Sequence, residues 1–350
     1  MRKIFGTDNF GYVIGEPPMG CKLCYIGAKI VVFITGKCFD NCYYCPISLE
    51  KRGKDIMYVD EEKANRLADI IVEALRISAR GAGITGGDPI AAFNRTIRVI
   101  EELKSYFGSN FHIHLYTTGR MLTKEWAKEL ERKGLDELRI HVTDELALKK
   151  TVTLARNLDI DVGVEIPAIP GKLEWIKHII TVLDENNVKF INLNELEVST
   201  SNIIELKARG LKPSSRRFMA VEGSHELALS ILKWAQENTN NINIHYCPVV
   251  YKDKYQLRLR LIRKALALAK HYEIVTDEGT ILYAIIKSKD LERIDKEIIA
   301  IGESVGIGVK TYVDLAEGLL NKGLIREYNR VEEYPLLQRK ILNILTVKGG

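Results

Sequence analysis

The sequence predicts an α/β fold: a partial (β/α)6 TIM-like barrel, open on one side, with a small C-terminal α/β or helical module. Three observations carry that expectation. From residue 28 onward short β-rich runs alternate with longer amphipathic segments, the pattern of a parallel sheet built from βα units. Six such units are present, fewer than the eight of a complete barrel. At 350 residues, with 46% hydrophobic and 28% charged side chains, the chain can bury one large core plus an appended module.

The elements follow in order. Residues 1–28 form an N-terminal extension that carries a Cys-x2-Cys pair. The barrel core spans 29–204, with strands expected at 30–35, 81–85, 112–117, 137–142, 161–166 and 189–193. Helices are expected at 61–77, 96–106, 123–133 and 173–186, several preceded by turn or cap residues. Residues 205–279 extend and close the barrel. They begin with a polar, irregular stretch at 205–224 that reads as a mobile loop over the mouth, and continue with a helix at 226–236 and a strand at 242–246. Residues 280–350 form the small module: a strand, two helices separated by Gly-rich turns, and a polar tail. Ile294, Ile298 and Ile301 keep helical spacing, and Gly306 separates them from 313–320, an arrangement suggestive of a helix-turn-helix.

Composition excludes several classes. No run of eighteen apolar residues appears, and residues 1–10 carry charges and Gly rather than the apolar core of a signal peptide, so no membrane association is expected and the expected location is the cytoplasm. Six cysteines are too few for a disulfide scaffold, and five crowd between Cys21 and Cys45, which points to metal or redox chemistry. A net charge of +5 neither demands nor excludes an anionic partner such as RNA. Arg260, Arg263, Lys264 and Lys270 fall on one helical face, either a phosphate-binding stripe or an ordinary solvated face.

The run Gly36-Lys37-Cys38-Phe39-Asp40-Asn41-Cys42-Tyr43-Tyr44-Cys45-Pro46 directly follows the first barrel strand. Three thiolates on one short loop can hold three irons of a 4Fe-4S cluster, leaving the fourth iron open to a small molecule with an amine and a carboxylate. The competing reading is a zinc knuckle, but structural zinc takes four protein ligands and this loop offers three. The Cys-x3-Cys-x2-Cys spacing resembles that of the radical S-adenosylmethionine (SAM) superfamily. The resemblance implies a 4Fe-4S cluster at Cys38, Cys42 and Cys45, with Tyr44 as the aromatic residue packed near adenine. Gly86-Gly87-Asp88, at the end of the second strand, is similar to the superfamily's Gly-Gly-Glu motif, which contacts the methionine amine; Asp replaces Glu here. Cofactor contacts from the third to fifth strands are implied as well, with Thr117, Thr118 and Glu165 as candidates. Alternation places His112 with His114, and Arg139 with His141, on shared strand faces.

Cys21 and Cys24, with Cys247 from the late strand, are candidate ligands of an auxiliary site for zinc or a second iron–sulfur cluster, with His245 as a possible fourth; a redox dithiol and plain buried cysteines are the alternatives. The ordered set of Cys21 to Cys24, Phe33-Ile34-Thr35-Gly36, Thr85-Gly86-Gly87-Asp88, His112-Ile113-His114-Leu115-Tyr116, Val164-Glu165-Ile166-Pro167, Asn192-Leu193-Asn194-Glu195-Leu196-Glu197 and Tyr255-Gln256-Leu257-Arg258 is similar to an archaeal group related to pyruvate formate-lyase activating enzyme. That resemblance implies reductive cleavage of SAM, a one-electron donor such as ferredoxin or flavodoxin, and hydrogen abstraction from a substrate, either a protein or, in a rival version, RNA. The non-enzymatic alternative is an iron–sulfur or metal-binding protein.

Overall fold

The computed structural model describes residues 1–291, 294, 302–305 and 308–349. The chain divides into two compact units, one of residues 1–75 and 79–256, the other of residues 76–78 and 257–350.

The first unit opens with a hairpin, β1 (Ile4–Thr7) and β2 (Gly11–Ile14), and a short helix, α1 (Met19–Tyr25). The barrel strands and helices then alternate: β3 (Lys29–Phe33), a hairpin of β4 (Met57–Val59) and β5 (Glu62–Ala64), α2 (Leu67–Arg76), β6 (Gly81–Thr85), α3 (Phe93–Phe107), β7 (His112–Thr117), α4 (Lys124–Arg132), β8 (Glu137–Ile140), α5 (Glu145–Asn157), β9 (Asp161–Ala168), α6 (Leu173–Glu185), β10 (Phe190–Glu195), α7 (Ile203–Ala208), α8 (Ser224–Asn238) and β11 (Asn243–Cys247). The sheet order is β1-β2-β11-β10-β9-β8-β7-β6-β3-β4-β5. From β3 to β11 every pairing is parallel, and the two hairpins add antiparallel edges. The path keeps two ends, so the barrel is open. The six strands expected from periodicity form its core, and β11 joins them as a seventh parallel strand.

Period-two alternation decides what faces the interior. On β3, Ile30 and Val32 are fully buried on the helix side, whereas Lys29 and Val31 face the central cavity. Helix α4 starts at a Thr123 cap that accepts from the Trp126 amide, and α5 at an Asp144 cap that accepts from Ala147. Helix α1 lies against β3, β6 and β7, with Gly20 so close to His114 and Arg139 that a Cβ would stand 2.4 Å from one and 2.7 Å from the other.

Two expectations in this unit are revised. The helix expected from residue 61 begins at Leu67, because 57–64 fold as a hairpin on β3; Asp60 turns it in the left-handed region (φ 52°) and accepts the Val31 amide over 2.7 Å. The polar 205–224 stretch is tied down rather than loose. It begins inside α7, forms bridges Glu197↔Ala220 and Pro213↔Val221, and sends Arg217 to the buried Glu195 over 3.1 Å.

The second unit carries α9 (Arg258–Leu268) and β12 (Ile274–Val275), β13 (Ile281–Lys287), β14 (Glu303–Val305), β15 (Gly308–Thr311), α10 (Val313–Asn321), β16 (Glu327–Glu333) and β17 (Ile341–Lys348). Its sheet is antiparallel, in the order β14-β15-β13-β16-β17 with β12 on β13. The apolar stripe of α10, Val313, Ala316, Leu319 and Leu320, packs on Leu282, Ala284 and Ile286. The opposite sheet face, with Tyr283 and Ile285, packs on Ala265 and Tyr272. The polar tail is two strands: β16 buries Tyr328 on the α10 side of the sheet and Val331 on the opposite side, and β17 pairs with it. The helix expected through Ile298 and Ile301, and its Gly306 turn, lie outside the described residues. The basic face is also revised: Arg260 and Lys264 are buried with Leu261 and Ala265.

Candidate active site

A cavity of about 560 Å³ occupies the barrel mouth and interior of the first unit, within the usual range for small-ligand sites. Cys38, Cys42 and Cys45 line one wall of it. They sit on the connection after β3, a stretch fixed at both ends by backbone bonds. Gly36 N–H donates to Lys54 over 2.8 Å, Gly53 N–H to Gly36 over 2.8 Å, and the Arg52 guanidinium to the Cys45 carbonyl over 2.8 Å. Asn202 adds a bond to the Tyr44 carbonyl over 3.0 Å.

The donor set suits a 4Fe-4S cluster. Among the described residues lining the cavity, His141 alone adds a further Cys or His, and both of its ring nitrogens are engaged, by Tyr44 Oη at 2.8 Å and the Glu165 carbonyl at 3.1 Å. Three thiolates without a fourth protein ligand leave one iron open. A tetrahedral zinc would need its ligand atoms closely gathered. Among the described residues, the groups gathered within 4.8 Å comprise only Asp60, Glu61 and Glu73.

The glycine pair does two things. Gly86 and Gly87 present backbone to the cavity, and they pack directly on the base of the cysteine loop. A Cβ on Gly87 would stand 2.3 Å from the Lys37 carbonyl oxygen, and one on Gly86 2.4 Å from that of Thr35. Gly87 N–H donates to the Thr35 carbonyl and Asp88 N–H to the Lys37 carbonyl, each over 2.7 Å. Only glycine permits that approach.

Asp88 is placed differently from the sequence expectation of a cofactor contact. Its carboxylate is fully buried and does not line the cavity. It accepts from the Ile90 amide (3.0 Å), from Thr117 Oγ (2.8 Å), and from the Thr118 amide (3.1 Å) and hydroxyl (2.7 Å). Burial pushes its pKa up, against the lowering effect of those bonds. The short side chain thus fixes Thr117 and Thr118, which do line the cavity, rather than reaching into it.

Glu165 lines the cavity as part of a buried network. It accepts from Arg139 (2.7 Å), Asn192 (2.9 Å) and Asn194 (2.9 Å). Burial alone would raise its pKa, but the Arg139 charge and the amide donors prevail and hold it down to about 2. Arg139 is the hub: fully enclosed, it also reaches Glu137, Tyr116 Oη at 3.0 Å and Cys21 Sγ at 3.5 Å. Sequence spacing puts Arg139 on the same strand face as His141 but gives no sign of these partners. Gln256, part of the Tyr255-Gln256-Leu257-Arg258 segment of the resemblance, and Lys252, both on a π-helical segment after β11, also line the cavity.

Cys21, Cys24 and Cys247 do come into one region of the interior, close enough for their charges to interact. Their sulfurs are not gathered within 4.8 Å as one ion would require. Cys21 accepts instead from Arg139 and from Asn192 at 3.6 Å, and Cys24 from Gln256 at 2.7 Å. Burial pushes the Cys21 thiol up to about 11. His245, the fourth candidate, uses its ring on Tyr25 Oη (2.8 Å) and Asn192 (3.3 Å).

Residues 32–144 match the family model described as the radical SAM superfamily. A Methanocaldococcus jannaschii protein, named as a candidate glycyl-radical enzyme activating enzyme, is 42% identical over 279 residues, which is 77% of this chain and 73% of the relative. Among solved structures, Streptococcus suis SuiB bound to S-adenosylmethionine superposes with a TM-score of 0.44 at 11% identity, over 63% of this chain and 51% of SuiB, so the chain spans about half of that protein. The structure of anSMEcpe with AdoMet and the Cp18Cys peptide superposes with a TM-score of 0.40 at 13% identity, over 60% of this chain and 61% of that one.

Proposed function

The chain belongs to the radical SAM superfamily, and from that premise we propose that it is an activating-type enzyme that takes hydrogen from a protein substrate at the barrel mouth, using a cluster held by Cys38, Cys42 and Cys45. It is an enzyme that uses a 4Fe-4S cluster and S-adenosylmethionine. Held by Cys38, Cys42 and Cys45, a 4Fe-4S cluster would supply the electron for reductive cleavage of S-adenosylmethionine, the chemistry that yields methionine and a hydrogen-abstracting 5′-deoxyadenosyl group.

One observation carries the assignment of the site: three cavity-lining thiols with no fourth uncommitted Cys or His among the described lining residues, beside the Gly86–Gly87 backbone. In this reading Gly86 and Gly87 offer backbone groups to the methionine amine, and Tyr44, held by His141, borders the adenine. Thr117 and Thr118, fixed by Asp88, shape the adjoining wall, and the Arg139–Glu165–Asn194 network keeps it rigid and polar. The protein-substrate version is supported by the named role of the Methanocaldococcus jannaschii relative. The RNA version loses its main sequence support, because Arg260 and Lys264 are buried. A ferredoxin or flavodoxin as electron donor, and action in the cytoplasm, complete the proposal.

Anaerobic reconstitution followed by dithionite reduction tests the chemistry. Wild type should form 5′-deoxyadenosine, and Cys38→Ala, Cys42→Ala and Cys45→Ala should not. An intact cluster with no 5′-deoxyadenosine would overturn the enzyme reading. Electron paramagnetic resonance on anaerobic extracts, with and without this chain, tests the substrate: a protein-borne radical that depends on the chain is expected, and a changed nucleoside profile in its place would favour RNA.

A further inference from the structure

Three of the six cysteines stand outside the cluster loop, and the fold brings them into one region of the first unit. Cys21 and Cys24 are one helical turn apart on α1, and Cys247 ends β11, beside Asn194 in the register with β10. Each sulfur is met by a donor or a cation. Arg139 and Asn192 direct N–H groups at Cys21 over 3.5 and 3.6 Å, Gln256 directs its amide at Cys24 over 2.7 Å, and the Lys252 charge acts on Cys247. A neutral thiol is a weak acceptor, whereas N–H groups turned towards sulfur are what tune ligating thiolates and cluster sulfides.

Tyr251 is an independent observation that points to a ligand. It is 2% exposed and its hydroxyl has no hydrogen-bond partner, although buried hydroxyls are normally paired. The groups close enough for their charges to act on that hydroxyl are Cys24, Cys247, Tyr25 and Cys21. Tyr25 packs edge-on against the ring, with centroids 5.1 Å apart, and its own hydroxyl is engaged with His245. The orphan O–H therefore lies among the three thiols. A single ion does not fit them, because the sulfurs are not gathered within 4.8 Å; the same is true of Cys38, Cys42 and Cys45. A four-iron cluster binds each thiolate to a different iron and holds them farther apart than one ion does, so it suits both trios. A redox dithiol would use two of the sulfurs and leave the third and the Tyr251 hydroxyl unexplained.

We propose that Cys21, Cys24 and Cys247 hold a second iron–sulfur cluster of the 4Fe-4S type, with the Tyr251 hydroxyl and the N–H groups of Arg139, Asn192 and Gln256 donating to its sulfur atoms. The site does not depend on the reading of the cluster loop, from which it shares no ligand. Its place in the fold ties it to the cavity nonetheless. Gln256 and Lys252 line the cavity and also bear on Cys24 and Cys247, and Arg139 joins Cys21 to the cavity-lining Glu165. The second cluster thus stands behind one wall of the chamber in which the substrate is held, with one of its irons free of a cysteine ligand.

The test uses the full chain, reconstituted anaerobically with ferrous iron and sulfide in the presence of zinc, and measures iron, acid-labile sulfide and zinc together with electron paramagnetic resonance of the reduced protein. Wild type should load about eight irons and eight sulfides, two clusters' worth, and show two signals of which S-adenosylmethionine alters one. With Cys38, Cys42 and Cys45 all replaced by Ala, about half of the iron should remain, with the signal that S-adenosylmethionine does not alter. The converse variant, Cys21→Ala, Cys24→Ala and Cys247→Ala together, should keep the other half and the responsive signal. Where a variant does not fold, the wild-type stoichiometry and its two signals decide. A wild type whose iron is all lost with Cys38, Cys42 and Cys45, zinc in place of iron in that variant, or an iron load unaffected by loss of Cys21, Cys24 and Cys247 would each overturn the proposal. Two clusters of which neither responds to S-adenosylmethionine would instead count against the radical reading alone, so the two failures are told apart.

Discussion

The amide of Asp88 donates to the carbonyl of Lys37 over 2.7 Å, joining the glycine turn after β6 to the residue before the first cluster cysteine. The turn is thus part of the support of the cysteine loop as well as a wall of the cavity. Chemistry and folding meet at one backbone contact, and the consequences are measurable.

Gly87→Ala should damage the cluster site without touching a ligand. The new Cβ would meet the Lys37 and Gly36 carbonyl oxygens at 2.3 and 2.7 Å, and both belong to backbone held in place by its own bonds. A cost of about 1–3 kcal/mol is expected from overpacking of this kind. Iron content after reconstitution should fall along with the unfolding temperature; normal iron loading would show that the loop is not set by this contact.

Asp88→Ala leaves the Thr117 and Thr118 hydroxyls and the Ile90 amide without their acceptor. A loss on the order of 1–3 kcal/mol follows from unsatisfied buried donors. Asp88→Asn keeps one acceptor oxygen and should fall between wild type and Ala in urea unfolding. If both variants unfold like wild type but lose S-adenosylmethionine affinity, Asp88 is a direct cofactor contact instead.

Glu165 sets a pH dependence. Its folded-state pKa of about 2 lies below the ordinary 4.5, burial being outweighed by Arg139 and the amide donors. A depressed carboxylate contributes stability that is fully present above about 4.5 and is lost as the pH falls towards 2. Urea midpoints between pH 6 and pH 3 should therefore fall more steeply in wild type than in Glu165→Gln, which is less stable at pH 6 because Arg139 loses a counter-charge. Parallel slopes would remove Glu165 from the acid limb.

Arg217→Ala should release the segment after α7. The guanidinium is that segment's ion pair with the buried Glu195, whose carboxylate also accepts the Val249 amide over 2.8 Å. Limited proteolysis should become faster at 209–219, with a smaller change in global unfolding temperature. Cleavage at an unchanged rate would mean that the bridges to Val221 and Glu197 suffice.

The strands were legible because period-two alternation and β-branched runs repeat along the chain, and the structure places β6 and β7 at the expected residues. The start of α2 was not, since 57–64 acquire strand character only by pairing with β3. The cluster loop was readable because its ligands are close in sequence. Residue type and motif position single out Asp88, but only the fold shows that Thr117 and Thr118, some thirty residues on, bond its oxygens.

What the sequence by itself determined is therefore local and chemical: three thiols at cluster spacing, a glycine pair after a strand, and alternation strong enough to specify an open parallel barrel. What only the tertiary structure decided is which charges meet. Arg139 finds Glu137 and Glu165, and Arg217 finds Glu195. Those pairings join strands far apart in sequence, and electrostatic balance in a buried cavity depends on distance and burial rather than on order along the chain.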